Sequence, residues 1–283
     1  MNSEISVVIP TLGGAHLTQT INALLSSTKV PNEIIICIPK HLTHDFEIDE
    51  NPLIKIILSE ERGQVHQRII GLKHAKYRYI IQLDDDIIVD AHCLEYLVST
   101  TIKLGNNVAI SPSFISTKSG KSLYKINTTS FFKKLYFLLL NGSKGYAPGT
   151  LTLAGTGFGI DHENIDGDKV EVDWLPGGCV LHHSDNVITE NYYPFPGKAY
   201  GEDFFFSILA KEKGIKLYIS TKATCLVEPV TPAQNMKFVN FRRYFFDELK
   251  VRKAFVEQTG GSLFRMYIFY LVMFFQYLFA RQR

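Results

Sequence analysis

Tyr79-Ile-Ile-Gln-Leu83 breaks abruptly into Asp84-Asp85-Asp86. The apolar, β-branched run reads as a buried strand, and the three carboxylates that close it repel one another, so a cation or donor groups are expected to neutralise them. In extended backbone Asp84 and Asp86 share one face while Asp85 points away. That face offers hard oxygen ligands suited to Mg2+ or Mn2+ holding a diphosphate, with phosphate oxygens and water completing the shell. A solvated acidic turn is the alternative.

The segments on either side give the run its context. Ile5 to Ile9 is β-branched and closed by Pro10, and Gly13-Gly14 precedes a helical pattern through Leu17, Ile21, Leu24 and Leu25. Glu33 to Ile38 repeats the strand signal with Pro39 as its stop, Ile54 to Leu58 makes a third strand, and a helix is expected from about Gln64 to Ala75. Strands alternating with helices imply a mostly parallel sheet covered on both faces. In such sheets ligands bind beyond the carboxyl ends of the strands, where Pro10-Thr11, Pro39-Lys40 and the aspartates lie. Beyond the run, Ser111 to Asp168 is rich in small and polar residues, which predicts loops, short strands and an apolar helix near Phe131 to Leu140. Val170 to Trp174 predicts a strand, Glu202 opens a helix, and Lys216 to Ser220 and Ala223 to Val227 predict further strands.

Composition sets limits on function. The 283 residues are 46% hydrophobic and 20% charged with a net charge of +2, which excludes a disordered chain and a multi-span membrane protein and gives no global field for nucleic acid. Cys37, Cys93, Cys179 and Cys225 are scattered without metal-ligand or disulfide spacing, so a reducing compartment is expected. The opening Met1-Asn-Ser-Glu leads straight into a strand rather than a signal peptide, which places the expected location in the cytoplasm. His182-His183 lies on a strand-like segment where neighbours face opposite ways, so both are expected to be structural.

Ser6-Val-Val-Ile-Pro-Thr11, Gly63-Gln-Val-His-Gln-Arg68 with Gly71, Leu83-Asp-Asp-Asp86, Trp174-Leu-Pro-Gly-Gly-Cys179, and Gly201-Glu-Asp203 with Phe206-Ser207 follow one another in order. Together they resemble the motifs of family 2 glycosyltransferases, of the bacterial cell-envelope polysaccharide type, across roughly residues 5 to 230. The resemblance implies an α/β GT-A fold, a nucleotide-diphosphate sugar donor, Mn2+ or Mg2+, and inversion at the anomeric carbon. By the same resemblance Asp84 faces the ribose, Asp86 ligates the metal, Thr11 with Pro10 borders the base, Arg68 lies near the diphosphate, and Asp85 completes the donor site. A departing nucleoside diphosphate develops negative charge that a cation stabilises, and a single displacement needs a base opposite it. Asp203 is the candidate base, held ionised by the helix that opens at Glu202, and Glu202 is the candidate for orienting the acceptor. The alternative is that both are ordinary first-turn acids. Gly177-Gly178 lets backbone approach a sugar, and Trp174 either stacks on it or packs in the core.

Two departures from the family pattern bear on specificity. The second strand ends Ile36-Cys-Ile-Pro39-Lys40 without the acidic pair that reads the base, and the late strand is followed by Glu228 where members carry a metal-binding histidine. Glu228 is a candidate substitute ligand.

Residues 1–230 are thus expected to form the catalytic domain, about 1–110 binding donor and about 111–230 binding acceptor, with 231–283 a basic, aromatic tail. Met266 to Ala280 is shorter than the ~20 residues of a spanning helix, so a helix lying in the membrane interface is expected, with Arg265, Arg281 and Arg283 reaching anionic headgroups. Expected partners are the donor, a glycan or lipid-linked acceptor, and an anionic membrane surface at the inner face of the cell membrane; packing on the catalytic domain or a homo-oligomer formed through the tail is the alternative. A sugar-phosphate nucleotidylyltransferase would need a basic Gly-rich loop that Thr11-Leu-Gly-Gly-Ala15 lacks. An inactive membrane-bound scaffold would not need Asp84, Asp86 and Asp203.

Overall fold

The computed structural model of the chain describes residues 3–45, 48, 50–126, 128, 130–195, 199–229 and 236–280. They form two compact units, one of residues 1–123 and 162–228, the other of 124–161 and 229–283. This division differs from the expected break at residue 230: segment 124–161, expected on the acceptor side of the catalytic domain, packs instead with the C-terminal segment.

The first unit is built on a nine-stranded sheet. β1 (Ile5–Pro10), β2 (Glu33–Pro39), β3 (Ile54–Ser59) and β4 (Tyr79–Leu83) pair in parallel in the order β3-β2-β1-β4. β1, β2 and β4 are buried along their whole lengths, as the unbroken Ile/Val runs require of a sheet covered on both faces. α1 (Leu17–Leu25) and α2 (Gln64–His74) supply cover. α2 seats closely because Gly71 has no side chain: a Cβ there would collide with Val8 Cγ1 and lie 2.6 Å from Cys37 Sγ. Val8, Ile35, Cys37, Leu72 and Ile80 make the resulting core.

Beyond β4 the sheet becomes mixed. β8 (Cys179–His183) runs antiparallel to β4 and to β6 (Val108–Ser116), and β6 pairs in parallel with the twelve-residue β9 (Lys216–Val227). β5 (Ile87–Val89) and β7 (Lys169–Glu171) pair antiparallel to β9. β1, β2, β3, β4, β6 and β9 all run one way, which makes the sheet mostly parallel. α3 (Cys93–Leu104) and α5 (Glu202–Glu212) pack on this half. Three differences from the expected elements stand out. The segment from Ser111 to Ser116 is not loop but part of β6, a central strand whose Pro112 is tolerated at a register shift between Pro112 and Ser113. The two late strands are one, and the strand expected at Val170 to Trp174 ends at Glu171.

The second unit is helical: α4 (Phe131–Asn141), α6 (Phe238–Gln258) and α7 (Leu263–Ala280). Val256, Met266 and Tyr270 form its core, Phe241 stacks on Tyr277 at 3.7 Å, and Tyr270 donates to the buried Glu248, which also pairs with Arg252. Arg252, one of the basic residues of this segment, is therefore largely internal. Arg265 is also committed internally: its Nη1 donates to the carbonyls of Leu138 at 2.9 Å and Leu139 at 2.6 Å, where α4 ends. Arg281 and Arg283 lie outside the described residues. α7 is long and apolar enough, by length and composition, to cross a membrane.

Candidate active site

Parallel register brings the carboxyl ends of β1, β2 and β4 to one edge of the first unit, and antiparallel β8 begins at the same edge. The backbone N–H of Asp84 donates to the carbonyl of Gly178 at 2.8 Å, so the acidic run and the Gly177-Gly178 turn are neighbours. Gln82 strengthens this junction. Its amide donates to the Gly177 carbonyl at 2.7 Å, and its Oε1 lies 3.2 Å from His182 Nε2, which must then be the donor. Burial, aided by the Arg68 charge, pushes His182 down to about 3, so it is a neutral structural donor. Gln67 pins the two neighbouring strand ends by donating to the carbonyls of Thr11 and Cys37, both at 2.7 Å.

The three aspartates are not in the extended strand expected for the run, because β4 ends at Leu83 and Asp85-Asp86 form the turn into β5, closed by the Ile87 N–H on the Asp84 carbonyl at 3.4 Å. Asp85 turns toward α1, accepting from Thr11 Oγ1, while Thr20 Oγ1 donates to its backbone carbonyl at 2.9 Å. Asp84 turns toward α2, where Gln64 and Arg68, one helical turn apart, donate to its Oδ1 at 3.0 and 3.1 Å. Asp86 is exposed. Burial pushes Asp84 up to about 6; Arg68 and Gln64 oppose the shift while Glu202 and Asp86 add to it. Burial likewise raises Asp85, with Asp86 adding repulsion and Thr11 opposing.

Arg68 joins the two halves of the site. Only 4% of its side chain is exposed, and it pairs with Glu202 at 2.7 Å as well as with Asp84. Burial opposes its charge, yet the two carboxylates hold its pKa above the ordinary value. Tyr192 donates to the other Glu202 oxygen at 2.6 Å, and burial beside that carboxylate keeps the phenol protonated by raising it well above its usual range. Glu202 is therefore saturated and buried, whereas Asp203, the next residue on the first turn of α5, is half-buried. Gly177 lies against both: a Cβ there would strike Glu202 Oε1 and sit 3.3 Å from Asp203 Cβ. A Cβ on Gly178 would meet Ile87 Cδ1 at 2.5 Å and Asp84 Oδ2 at 3.3 Å. Both glycines are thus where the acidic run and the α5 acids come closest.

Trp174, for which stacking on sugar and packing in the core were both open, lies in the interior. It is buried, edge-on to Phe204 at 4.9 Å, and the following Leu175 N–H donates to Ser207 Oγ on α5 at 3.0 Å. Pro10 and Thr11 are buried at this edge. Glu228 is exposed, 3.5 Å from Lys118, and follows Val227, which pairs with Ile87; the antiparallel register sets it beside Asp86. Among the described residues no group of three or more His, Cys, Asp and Glu is arranged to hold a metal. The donor set fits a hard cation that takes one or two carboxylates from the protein and the rest of its shell from phosphate and water. Sequence reasoning passed over Gln64, Gln67, Gln82 and Tyr192. The spacing of Gln64 and Arg68 is a readable signal of a shared helix face; Tyr192, in a loop, carries none.

Residues 6–160, more than half of the chain, match the family model described as glycosyl transferase family 2. No curated protein matches the sequence. The fold is similar to that of a crystal structure of GalNAc-T7 with UDP, GalNAc and Mn2+, with a TM-score of 0.56 and 18% identity over 94% of this chain and 56% of that one. This chain thus spans little more than half the length of that one, and the likeness is one of fold, the GT-A arrangement of sheet and flanking helices. With the family model covering the acidic run, α2 and the sheet edge that joins them, the chain belongs to glycosyl transferase family 2.

Proposed function

We propose that the chain transfers a sugar, with inversion, from a nucleotide-diphosphate sugar to a hydroxyl of a glycan or lipid-linked acceptor in polysaccharide assembly. The observation that carries this is the meeting of the acidic run and the α5 acids around Gly177-Gly178, tied through Arg68. Thr11, Asp84 and Asp85 form the donor edge, and Arg68 holds Asp84 in place beside it. Asp86, with Asp84 and Glu228 nearby, is the binding place for a divalent cation, Mn2+ or Mg2+, which when bound supplies Lewis-acid stabilisation to the departing nucleoside diphosphate. The Mn2+ in the structurally similar GalNAc-T7 is consistent with this class of ion.

Asp203 takes the acceptor proton. It projects from the first turn of α5, where the helix dipole favours the carboxylate, and its Cβ is close to the glycine turn that borders the sugar. Glu202 holds this turn rather than the proton, because its two oxygens are already engaged by Arg68 and Tyr192.

The tail brings the enzyme to an anionic membrane at the cytoplasmic face. α7 has one side packed on α6, so it fits a helix lying in the interface better than one surrounded by lipid. The test of the chemistry is thermal-shift screening against nucleotide sugars with and without Mn2+, followed by product analysis with the stabilising donor. Metal-dependent stabilisation by one donor and a product of inverted anomeric configuration are expected. Retention of configuration, or transfer of the nucleotidyl group instead of the sugar, overturns the proposal.

A further inference from the structure

α4 carries apolar residues on two opposite sides. Phe137 and Leu140 face inward, Phe137 packing on Tyr146 at 5.2 Å and Phe158 at 5.3 Å. At 3.6 residues per turn, Phe131, Phe132, Leu135, Leu138 and Leu139 fall within an arc of roughly 120° on the other side. All are exposed, Phe131 by 74% and Phe132 by 80%. α7 repeats the pattern: Met266, Tyr270 and Tyr277 are buried, while Phe264, Tyr267, Leu271, Phe275, Leu278 and Phe279 make an outward stripe at helical spacing. Arg265 fixes the first turn of α7 to the end of α4, so the two stripes belong to one packed unit.

Charge selects what covers them. Residues 124–161 and 229–283 hold thirteen Lys and Arg against four Asp and Glu, a formal +9 in a chain of net +2. Lys134 stands at the edge of the α4 stripe, and Lys144 follows the helix; both are exposed. A second copy of so basic a unit would be repelled, whereas anionic headgroups beside an apolar interior match both the stripe and its cations. We propose that α4 is a second lipid-seated element, which together with α7 docks this unit on an anionic bilayer surface. The proposal rests on the reading of α7 as membrane-facing and extends it to an internal segment.

The four native cysteines are buried, so a single Phe132→Cys in the full chain can be labelled with an environment-sensitive nitrobenzoxadiazole dye. Ile102→Cys on α3, where the native side chain is 50% exposed, is the control. Vesicles of phosphatidylcholine alone and of phosphatidylcholine mixed equally with phosphatidylglycerol are the probes. The dye at position 132 is expected to brighten and shift to the blue on the mixed vesicles, and the control dye to stay unchanged. The combined variant Phe131→Ser, Phe132→Ser, Leu135→Ser should bind the mixed vesicles at least tenfold more weakly with an unchanged melting temperature. Lys134→Gln should weaken binding about fivefold at low salt and less at high salt. A silent dye at 132 on a protein that still sediments with vesicles removes α4 and leaves α7. Loss of sedimentation altogether removes both, and neither result touches the glycosyl-transfer reading. An equal response on both vesicle types overturns the anionic surface, and a response that tracks protein concentration without lipid assigns the stripe to a second copy.

Discussion

Arg68 is the residue on which the site closes, because removing it leaves Glu202 buried without its cation. Arg68→Met is expected to destabilise the first unit by about 3–5 kcal/mol, the usual scale for stranding one partner of a buried pair, read from urea unfolding. Asp203→Asn is expected to leave donor affinity near normal and to lower turnover by roughly 10² or more, the scale of losing a general base. Near-normal transfer by that variant would move the proton to another group. His182 gives a signed pH dependence. Its folded pKa of about 3 lies below the ordinary histidine value, so the unfolded chain takes up a proton that the folded chain refuses. Stability from this group is complete above about pH 6.5 and is lost as pH falls toward 3, by about 1.4 kcal/mol per unit. His182→Gln should flatten that part of the profile in unfolding midpoints measured between pH 7 and 5.

At the level of elements, the sheet edge and its acidic run are legible because β-branched runs closed by Pro10 and Pro39 fix β1 and β2, an apolar run broken by aspartates fixes β4, and the parallel arrangement follows from the helices between them. Asp84 and Asp85 engage α2 and Thr11 respectively, but from a turn that follows β4 and not from the extended backbone on which the sequence expectation rested. What was not legible has a common physical origin. β6 is hidden by Ser111, Pro112 and Ser113, whose polarity is tolerated at a register shift that only the β9 partner reveals. Glu202 looked like an orienting group because its partners, Arg68 and Tyr192, come from distant segments; only tertiary structure shows that its oxygens are taken. Trp174 left core and sugar stacking equally open, and Phe204 decides for the core. Gly71 had a place in the motif without a reason, and the reason is contact. Gly71→Ala should drive α2 off β1 and β2 and cost about 1–3 kcal/mol, checked by thermal unfolding, with the Gln67 bonds to both strand ends loosened as a result.

For the whole molecule, the two units respond differently to loss of the tail. A chain ending at Gly260 would lack Met266, Tyr270 and Tyr277, leaving Phe241 unstacked and Glu248 without its phenol partner. Calorimetry should show the second unit melting earlier while nucleotide-dependent stabilisation of the first survives; loss of both together would mean the units do not fold separately. The charge division between them reaches further than stability. Residues 1–123 and 162–228 carry seventeen Lys and Arg against twenty-four Asp and Glu, the opposite sign to the basic unit. On the proposed function, an anionic nucleotide sugar would meet the local negative charge of the first unit on its way to the site, while an anionic bilayer would attract the other unit. Added electrolyte damps both fields within a Debye length of ~8 Å at physiological ionic strength, so it should quicken donor capture in stopped-flow mixing and loosen vesicle attachment. One protein would then show two ionic-strength responses of opposite slope, and the salt that suits encounter with donor would be the wrong salt for residence on the lipid.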